Sequence, residues 1–322
     1  MKLLESEKTK KAGKEAYCLT ITPEGATVSA YAKEGLFNGV QTLRQLIIQY
    51  GICLPCLYIE DYPQIPVRGW FMDVTRGRIP KLSYLKEMAD RCSLYKINQM
   101  HLYIEHTFLF DGLSETWRDD TPLTAQDILE FDEYCAQRNI ELVPSIATFG
   151  HLYKVLRTKT YHELSEIEEP DGCQFSFYER MCHHTLNTTD DRAYEFVCRL
   201  IDEYSPLFRS NLFNINCDET FDLGKGRGKE VADQIGSHAM YIQWVNRVCE
   251  HVEEIGKRPM FWGRYHCCTS RDHQRASKGH HLYDMGLRLG TGGYQCQKAL
   301  GKRCTSVSVS RCSGMESDDS PT

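Results

Sequence analysis

From about residue 66 onwards the sequence alternates short apolar segments with amphipathic segments, and this alternation restricts the possible folds more than any other feature. The apolar segments have the length of buried strands, and the segments between them have helical periodicity. The predicted strands cover residues 69–74, 97–106, 140–150, 212–220 and 258–263. Successive strand ends are about 30 or more residues apart, which is enough for a helical crossover, so the pattern predicts a parallel sheet.

The helices predicted between these strands have recognisable faces and ends. One helix carries an apolar face that includes Leu82 and Leu85. A second begins at Thr124, and Asp127 three residues later makes a capping-box-like pair with it. A third buries Trp244, and Gly256 lies just beyond its expected end. These signals support the strand–helix alternation independently of the apolar segments.

Strand–helix units with polar residues at the strand ends predict an α/β fold, a (β/α)8 TIM-type barrel, whose active site would form at the carboxyl ends of the strands. We expect the barrel to be incomplete because the units stop at residue 263. A Rossmann-like sheet is the alternative, but no glycine-rich phosphate loop follows the first strand. The segment GKGRGK at 224–229 follows the wrong element and lacks the Ser or Thr of a P-loop, so we interpret it as a flexible loop.

The chain divides into three regions. Residues 1–60 read as strand, turn, strand and helix, with the helical spacing clear after Gly39, and we interpret them as the end of a small α/β domain. Residues 61–263 form the barrel units. Residues 264–322 contain no Ile, Phe or Trp and show no sustained period, which predicts an irregular tail. This tail is either a natural extension or, as the composition favours, out-of-frame translation.

Composition and charge exclude several functions. A net charge of -6 spread along the chain argues against nucleic acid as a partner. No segment approaches the roughly 20 apolar residues of a membrane span, and no signal peptide is visible. The 15 cysteines are irregularly spaced, and the pair Cys53 and Cys56 has no second pair to complete a zinc site. We therefore expect reduced thiols, no metal, no cofactor and a cytoplasmic location.

The polar groups at the ends of the predicted strands supply the candidate site. They are Arg68, Asp73, Arg76, Glu105, His106, His151, Asp218, Glu219 and Trp262. Charged groups with an aromatic face suit a sugar pocket. Each also has a simpler interpretation: Asp73 and Arg76 pair only with each other, the histidines are structural, and Trp262 is core. A metal hydrolase that uses His106, His151 and Asp218 is a further hypothesis, although no helical His-x-x-x-His pair supports it.

Five segments of the chain resemble the catalytic barrel of family 20 glycoside hydrolases, the β-N-acetylhexosaminidases. In order, they are VRGWFMDVTRGRIP, YKINQMHLYIEHTF, ELVPSIATFGH, FNINCDET and RPMFWG. The preceding EGLFNGVQTLRQLI resembles the end of the small domain that leads into that barrel. The resemblance implies exo-acting hydrolysis of terminal β-linked N-acetylhexosamine from a glycan, without a cofactor. It also implies substrate-assisted catalysis, in which the acetamido oxygen of the sugar attacks C1 and forms an oxazolinium intermediate.

The resemblance also implies roles for individual residues. Glu219 would be the general acid and then the base toward water, and Asp218 would orient the acetamido N–H and stabilise the positive charge that develops there. The neighbouring charge of Asp218 would help keep Glu219 protonated. Arg68 would hold the ring hydroxyls, and His151 would support the acid. Glu105 falls where the family has an acidic residue, and Trp262 would line the acetamido pocket.

The sequence departs from the family pattern in several places. The family usually has Gly-Gly before Asp-Glu, where this chain has Asn216 and Cys217, and Ser145 stands where a glutamate is common. Further pocket indoles and a tyrosine come from later strands in the family, whereas all four tryptophans here precede residue 264. An inactive or merely sugar-binding fragment is therefore the alternative function.

Overall fold

A computed structural model describes residues 12–169, 173–182, 184–262 and 281–283. The first unit is a small three-stranded antiparallel sheet with the order β2-β1-β3, covered by one helix. Its elements are β1 (Tyr17–Thr22), β2 (Gly25–Ala30), α1 (Lys33–Tyr50) and β3 (Leu57–Asp61). The predicted strand, turn, strand and helix order of this region is confirmed, with Thr22 paired to Gly25 across the turn.

Helix α1 begins at Lys33, earlier than the helical pattern after Gly39 indicates. Two glycines inside the helix explain the difference, because they permit close packing instead of ending the helix. A Cβ on Gly35 would lie 2.2 Å from the carbonyl oxygen of Ala16, and a Cβ on Gly39 would lie 2.4 Å from Val28 Cγ1. Both positions therefore need glycine for α1 to lie directly on the small sheet.

The second unit is a six-stranded parallel sheet whose order follows the sequence, β4-β5-β6-β7-β8-β9. The strands are β4 (Gly69–Asp73), β5 (Gln99–Ile104), β6 (Glu141–Ile146), β7 (Leu212–Asn214), β8 (Arg258–Trp262) and β9 (His281–Tyr283). From β4 to β8, neighbouring strands are connected through helices, so this unit is part of an α/β barrel. The predicted fold class and the predicted parallel pairing are confirmed.

Two strands differ from expectation. Strand β7 has three residues, whereas the sequence predicted a strand over 212–220. It ends early because the backbone φ angles at Asn216 and Cys217 are +56° and +62°, which are incompatible with an extended chain. Strand β9 pairs in parallel with β8 through Phe261 and Leu282, so the expectation of an irregular tail is wrong at 281–283. The rest of 264–322 lies outside the described residues.

Helices lie between β4 and β8 along the chain, and most of them pack against the sheet in one large core. They are α2 (Leu82–Leu94), α3 (Ser114–Trp117), α4 (Ala125–Ala136), α5 (Tyr153–Leu156), α6 (Phe177–Cys182), α7 (Asp191–Tyr204), α8 (Lys229–Ile235) and α9 (Ser237–Glu254), with short 3₁₀ turns at His162–Leu164 and Ser205–Leu207. The predicted capping box of α4 is present: Thr124 Oγ1 accepts from the backbone N–H of Asp127 at 3.1 Å. Gly256 follows α9 with a φ of +79°, as expected just beyond a helix end.

Side chains alternate between the two faces of the parallel sheet. Phe261 belongs to the large core between the sheet and the helices. Its neighbours Met260 and Trp262 instead pack with Val143 and Leu212 in a separate buried cluster on the opposite face. That face is the barrel interior, because it lies away from the helices. No helix in the described ranges is long and apolar enough to cross a bilayer.

Candidate active site

Asp218 and Glu219 lie in an irregular segment that leaves the carboxyl end of β7. The backbone there is unusual, since Asn216, Cys217 and Glu219 all have positive φ angles. Tertiary hydrogen bonds hold this conformation: Thr148 Oγ1 donates to the carbonyl of Ile215 at 2.7 Å, and Tyr241 Oη donates to the carbonyl of Cys217 at 2.9 Å. The two carboxylates are therefore presented by a constrained turn, as expected for residues whose position matters to function.

His151 lies beside both carboxylates. It follows β6, is buried, and has a φ of +61°. Its Nε2 is 3.6 Å from Asp218 Oδ2 and 3.5 Å from Glu219 Oε2. The neighbouring glycine permits this approach, because a Cβ on Gly150 would lie 2.8 Å from the carbonyl oxygen of Asp218. The predicted placement of His151 next to the pair is thus confirmed.

A second charged group occupies the carboxyl ends of β4 and β5. Arg76 Nη2 donates to Glu105 Oε1 at 3.0 Å, and Arg76 Nη1 donates to Asp73 Oδ2 at 2.9 Å. Tyr103 Oη donates to the same Glu105 oxygen at 2.9 Å. The expected pairing of Arg76 with Asp73 is confirmed, but it is only part of this network, since the charge of Asp218 also acts on Arg76.

Burial and charge shift the titration of these groups. Burial raises the pKa of Glu105, and the charge of Arg76 opposes that shift. Burial alone would lower the pKa of His151, but the contact with Asp218 and the charge of Glu105 outweigh it and raise the pKa above its ordinary value. The acidic neighbours of His151 therefore favour the protonated form of its imidazole.

Arg68 does not belong to this site. It precedes β4, whereas the other groups follow their strands, and a five-residue strand separates its ends by about 16 Å. Its guanidinium forms an ion pair with Glu15 and donates to the carbonyls of Lys96 and Ile65 at 2.7 and 2.9 Å. The assignment of the hydroxyl-binding arginine to Arg68 is wrong, and Arg76 is the arginine at the carboxyl ends.

His106 is also outside the cluster. Among the described residues, the set of His, Cys, Asp and Glu donors close enough to share an ion consists of His151, Asp218 and Glu219. His106 is buried near Lys154, and burial together with that charge lowers its pKa to about 4. The hypothetical hydrolase site of His106, His151 and Asp218 is therefore not assembled.

Comparison with known families agrees with this geometry. The model for the glycosyl hydrolase family 20 catalytic domain matches residues 66–275, and the model for domain 2 of the same family matches residues 2–62. The chain belongs to glycosyl hydrolase family 20. The catalytic-domain match begins just before β4 and includes every candidate residue above.

Individual relatives give the same family. A beta-hexosaminidase of Akkermansia muciniphila is 27% identical over 251 residues, which cover 68% of this chain and 48% of that protein. Beta-hexosaminidase subunit A1 of Dictyostelium discoideum is 26% identical over 64% of this chain and 39% of its own length. A Streptomyces plicatus beta-hexosaminidase solved in complex with product GlcNAc superposes with a TM-score of 0.70 at 25% identity, covering 90% of this chain and 57% of that one. The match to this chain spans 48% and 39% of the length of these two curated relatives.

Trp262 lies on the face of the sheet that forms the barrel interior. Trp262 Nε1 donates to Asn216 Oδ1 at 2.8 Å, and the indole meets the ring of Phe71 edge-on, with centroids 5.1 Å apart. Ser145 Oγ donates to the same Asn216 oxygen at 3.3 Å. The two departures noted in the sequence, Asn216 and Ser145, thus contact each other and link the indole to the segment of the paired acids. The role of Trp262 in an acetamido pocket stays a prediction.

The glycine-rich segment at 224–229 is held in place by hydrogen bonds, although the sequence predicts a flexible loop. The backbone N–H groups of Gly226 and Gly228 each donate to Glu166 Oε1 at 3.0 Å. A Cβ on Gly226 would lie 2.0 Å from the carbonyl oxygen of Glu166, so this position requires glycine. Glu166 is fully buried, and burial raises its pKa against the opposing effect of the amide groups. The segment that follows the paired acids is therefore tied to the segment that follows His151.

Sequence reasoning missed several residues that build the site. Tyr103 lies two residues before Glu105, so the period of a strand places both on one face, and this signal was available in the sequence. The helical pattern predicts only that Trp244 is buried, but Trp244 Nε1 donates to the carbonyl of Thr148 at 3.2 Å, and Tyr241 of the same helix donates to the carbonyl of Cys217. Nothing in the local pattern of α9 indicates these contacts.

Proposed function

We propose that the chain hydrolyses terminal β-linked N-acetylhexosamine from a glycan, with retention of configuration and with the substrate's acetamido group as nucleophile. The observation that carries this proposal is the contact of His151 with both Asp218 and Glu219 at the carboxyl ends of the strands. Membership of family 20 and similarity to proteins named beta-hexosaminidase support it.

In the proposed reaction, Glu219 protonates the leaving oxygen while the acetamido oxygen attacks C1. The products of this step are the free aglycone and an oxazolinium ring, so the protein needs no second carboxylate as a nucleophile. Asp218 accepts the acetamido N–H and offsets the positive charge of that ring. Glu219 then removes a proton from water, which attacks C1, reopens the ring and regenerates the acetamido sugar. His151 contacts both carboxylates and keeps them oriented.

Arg76 and Glu105 take the role of holding sugar hydroxyls. The guanidinium is fixed by Asp73 and Glu105 and interacts with the charge of Asp218, so it borders the pocket of the reacting sugar. The guanidinium of Arg76 donates hydrogen bonds and the carboxylate of Glu105 accepts them. Neighbouring sugar hydroxyls can do both, so they can bind to this pair of side chains. Fixing the sugar in this way positions C1 against the acetamido oxygen and Glu219.

Chromogenic substrates test the proposal. The chain is expected to release p-nitrophenol from N-acetyl-β-glucosaminide or N-acetyl-β-galactosaminide, and much more slowly from the matching β-glucoside, which lacks the acetamido nucleophile. Equal rates on the two kinds of substrate would contradict the mechanism. Binding of N-acetylglucosamine without turnover would support the sugar-binding alternative.

We also propose that the protein works in a reducing compartment such as the cytoplasm. Among the described residues, Cys18, Cys92, Cys135, Cys217 and Cys249 have buried free thiols, and an interior that contains reduced cysteines supports this location. Fractionation of the source cells, with the hexosaminidase assay applied to each fraction, tests this location.

A further inference from the structure

The spacing of the donor atoms around His151 fits a metal ion better than it fits hydrogen bonds. His151 Nε2 is 3.6 Å from Asp218 Oδ2 and 3.5 Å from Glu219 Oε2, beyond the usual range for N–H···O contacts. Two ligand atoms on one tetrahedral zinc, with bonds of about 2.0 to 2.2 Å, are about 3.3 to 3.6 Å apart. The distances from the imidazole nitrogen to the two carboxylates are therefore those expected between ligands of one zinc ion.

The cluster is compact and contains unpartnered buried atoms. The three donor atoms all lie within 4.8 Å of one another, so a small rotation of one carboxylate brings them around a single ion. Within the described part of the chain, His151 Nε2 and Asp218 Oδ1 are buried and have no hydrogen-bond partner. Buried polar atoms in this state favour a ligand that satisfies them.

We propose that His151, Asp218 and Glu219 bind Zn²⁺ reversibly, and that the bound ion excludes the amino sugar and so inhibits the enzyme. One imidazole nitrogen with two carboxylate oxygens is a donor set for zinc, whereas magnesium and calcium prefer oxygen alone. The ion would occupy the carboxylate atoms that the reaction needs, which makes it a competitor of substrate. The inhibition rests on the proposed function, but the binding does not.

Metal binding is measured first by calorimetric titration of the full chain with ZnCl₂. The chain has 15 cysteines and 12 histidines, so matched variants are compared with one another. The background is Cys53→Ser with Cys56→Ser, because these exposed thiols are the obvious competing ligands and lie outside the site. In that background, His151→Ala is expected to weaken one zinc site by at least about tenfold. His162→Ala, which removes an exposed histidine elsewhere, should leave the titration unchanged.

Asp218→Asn gives a second, nearly isosteric test in case His151→Ala does not fold. It too should weaken the zinc site by at least about tenfold, because the amide is a poorer ligand than the carboxylate. Steady-state kinetics complete the test: added ZnCl₂ should raise the apparent KM of the Cys53→Ser, Cys56→Ser chain and leave kcat unchanged.

Unchanged zinc affinity in folded His151→Ala and Asp218→Asn would overturn the proposal, as would zinc inhibition that lowers kcat alone. A chain that shows no turnover refutes the proposed function, yet the calorimetric comparison still decides whether the ion binds at these residues.

Discussion

Arg76 and Glu105 form a 3.0 Å ion pair at the carboxyl ends of β4 and β5, while Arg68 lies at the opposite end of β4. Exchanging each arginine for methionine separates their roles. Arg76→Met should lower kcat/KM by about ten- to a hundredfold, because charge-assisted hydrogen bonds in a site contribute about 1.5 to 3 kcal/mol. Arg68→Met should leave kcat/KM close to that of the wild type.

Urea unfolding of Arg68→Met tests the structural role of Arg68. Arg68→Met should lower the free energy of unfolding by about 1 to 3 kcal/mol, because Arg68 joins Glu15 to the carbonyls of Lys96 and Ile65. A loss of kcat/KM in Arg68→Met with none in Arg76→Met would show that Arg68, and not Arg76, binds the sugar.

Substitution of the paired acids should separate general acid catalysis from acetamido assistance. Glu219→Gln should lower kcat by about 10² to 10⁴-fold on N-acetylhexosaminides with ordinary leaving groups. Asp218→Asn should lower kcat by about 10² to 10³-fold, with the loss confined to substrates that carry the acetamido group. Glu250→Gln, an exposed change on α9, is the matched control. Retention of normal kcat by Glu219→Gln would remove Glu219 as the acid.

The positive φ angle at Cys217 predicts that this position tolerates glycine better than a β-branched residue. Because its φ is +62°, Cys217→Gly should relieve strain and offset the loss of the small buried thiol, leaving the free energy of unfolding within about 1 kcal/mol of the wild type. Cys217→Val should cost more than about 2 kcal/mol, since a β-branched residue is poorly tolerated there. Urea unfolding of both variants checks this, and equal stability of Gly and Val at this position would contradict the proposed strain.

Glu166 should make stability depend on pH. Its pKa in the folded state is raised above the ordinary 4.5, so the folded state favours the neutral carboxyl. That contribution is fully present below about pH 4.5 and is lost as the pH rises through the raised folded value. Glu166→Gln should therefore flatten part of the fall in stability with rising pH.

Urea midpoints of the wild type and Glu166→Gln between mildly acidic and neutral pH measure this difference. Glu250→Gln serves again as the exposed control and should follow the wild-type slope. Parallel pH profiles for the wild type and Glu166→Gln would show that the buried carboxyl does not titrate as inferred.

The alternation of apolar and amphipathic segments was sufficient to predict the parallel sheet, because strand and helix periods are local properties. The predicted length of β7 was wrong, because the apolar residues continue past Asn214 although the backbone turns at Asn216 and Cys217. The family's usual glycines would have marked that turn, and this chain replaces both. Local sequence could not indicate the strain, which tertiary partners such as Tyr241 support.

The placement of the arginines was predictable in principle. Arg68 and Arg76 flank the same short strand, and the rule that sites form at carboxyl ends favours Arg76. The resemblance to the family's Arg-Gly stretch favours Arg68 instead, because it takes no account of the direction of the strand. The acids and His151 were located correctly because each follows its strand.

The carboxylate of Glu166 holds the amides of Gly226 and Gly228, so two long surface segments from different barrel units meet at one buried group. One segment begins at His151 and the other contains Asp218 and Glu219. A chimera designed to change the substrate preference must therefore exchange both segments together. If only one segment were exchanged, the hydrogen bonds of Glu166 would be lost, and the segment that carries the paired acids would no longer be held in place.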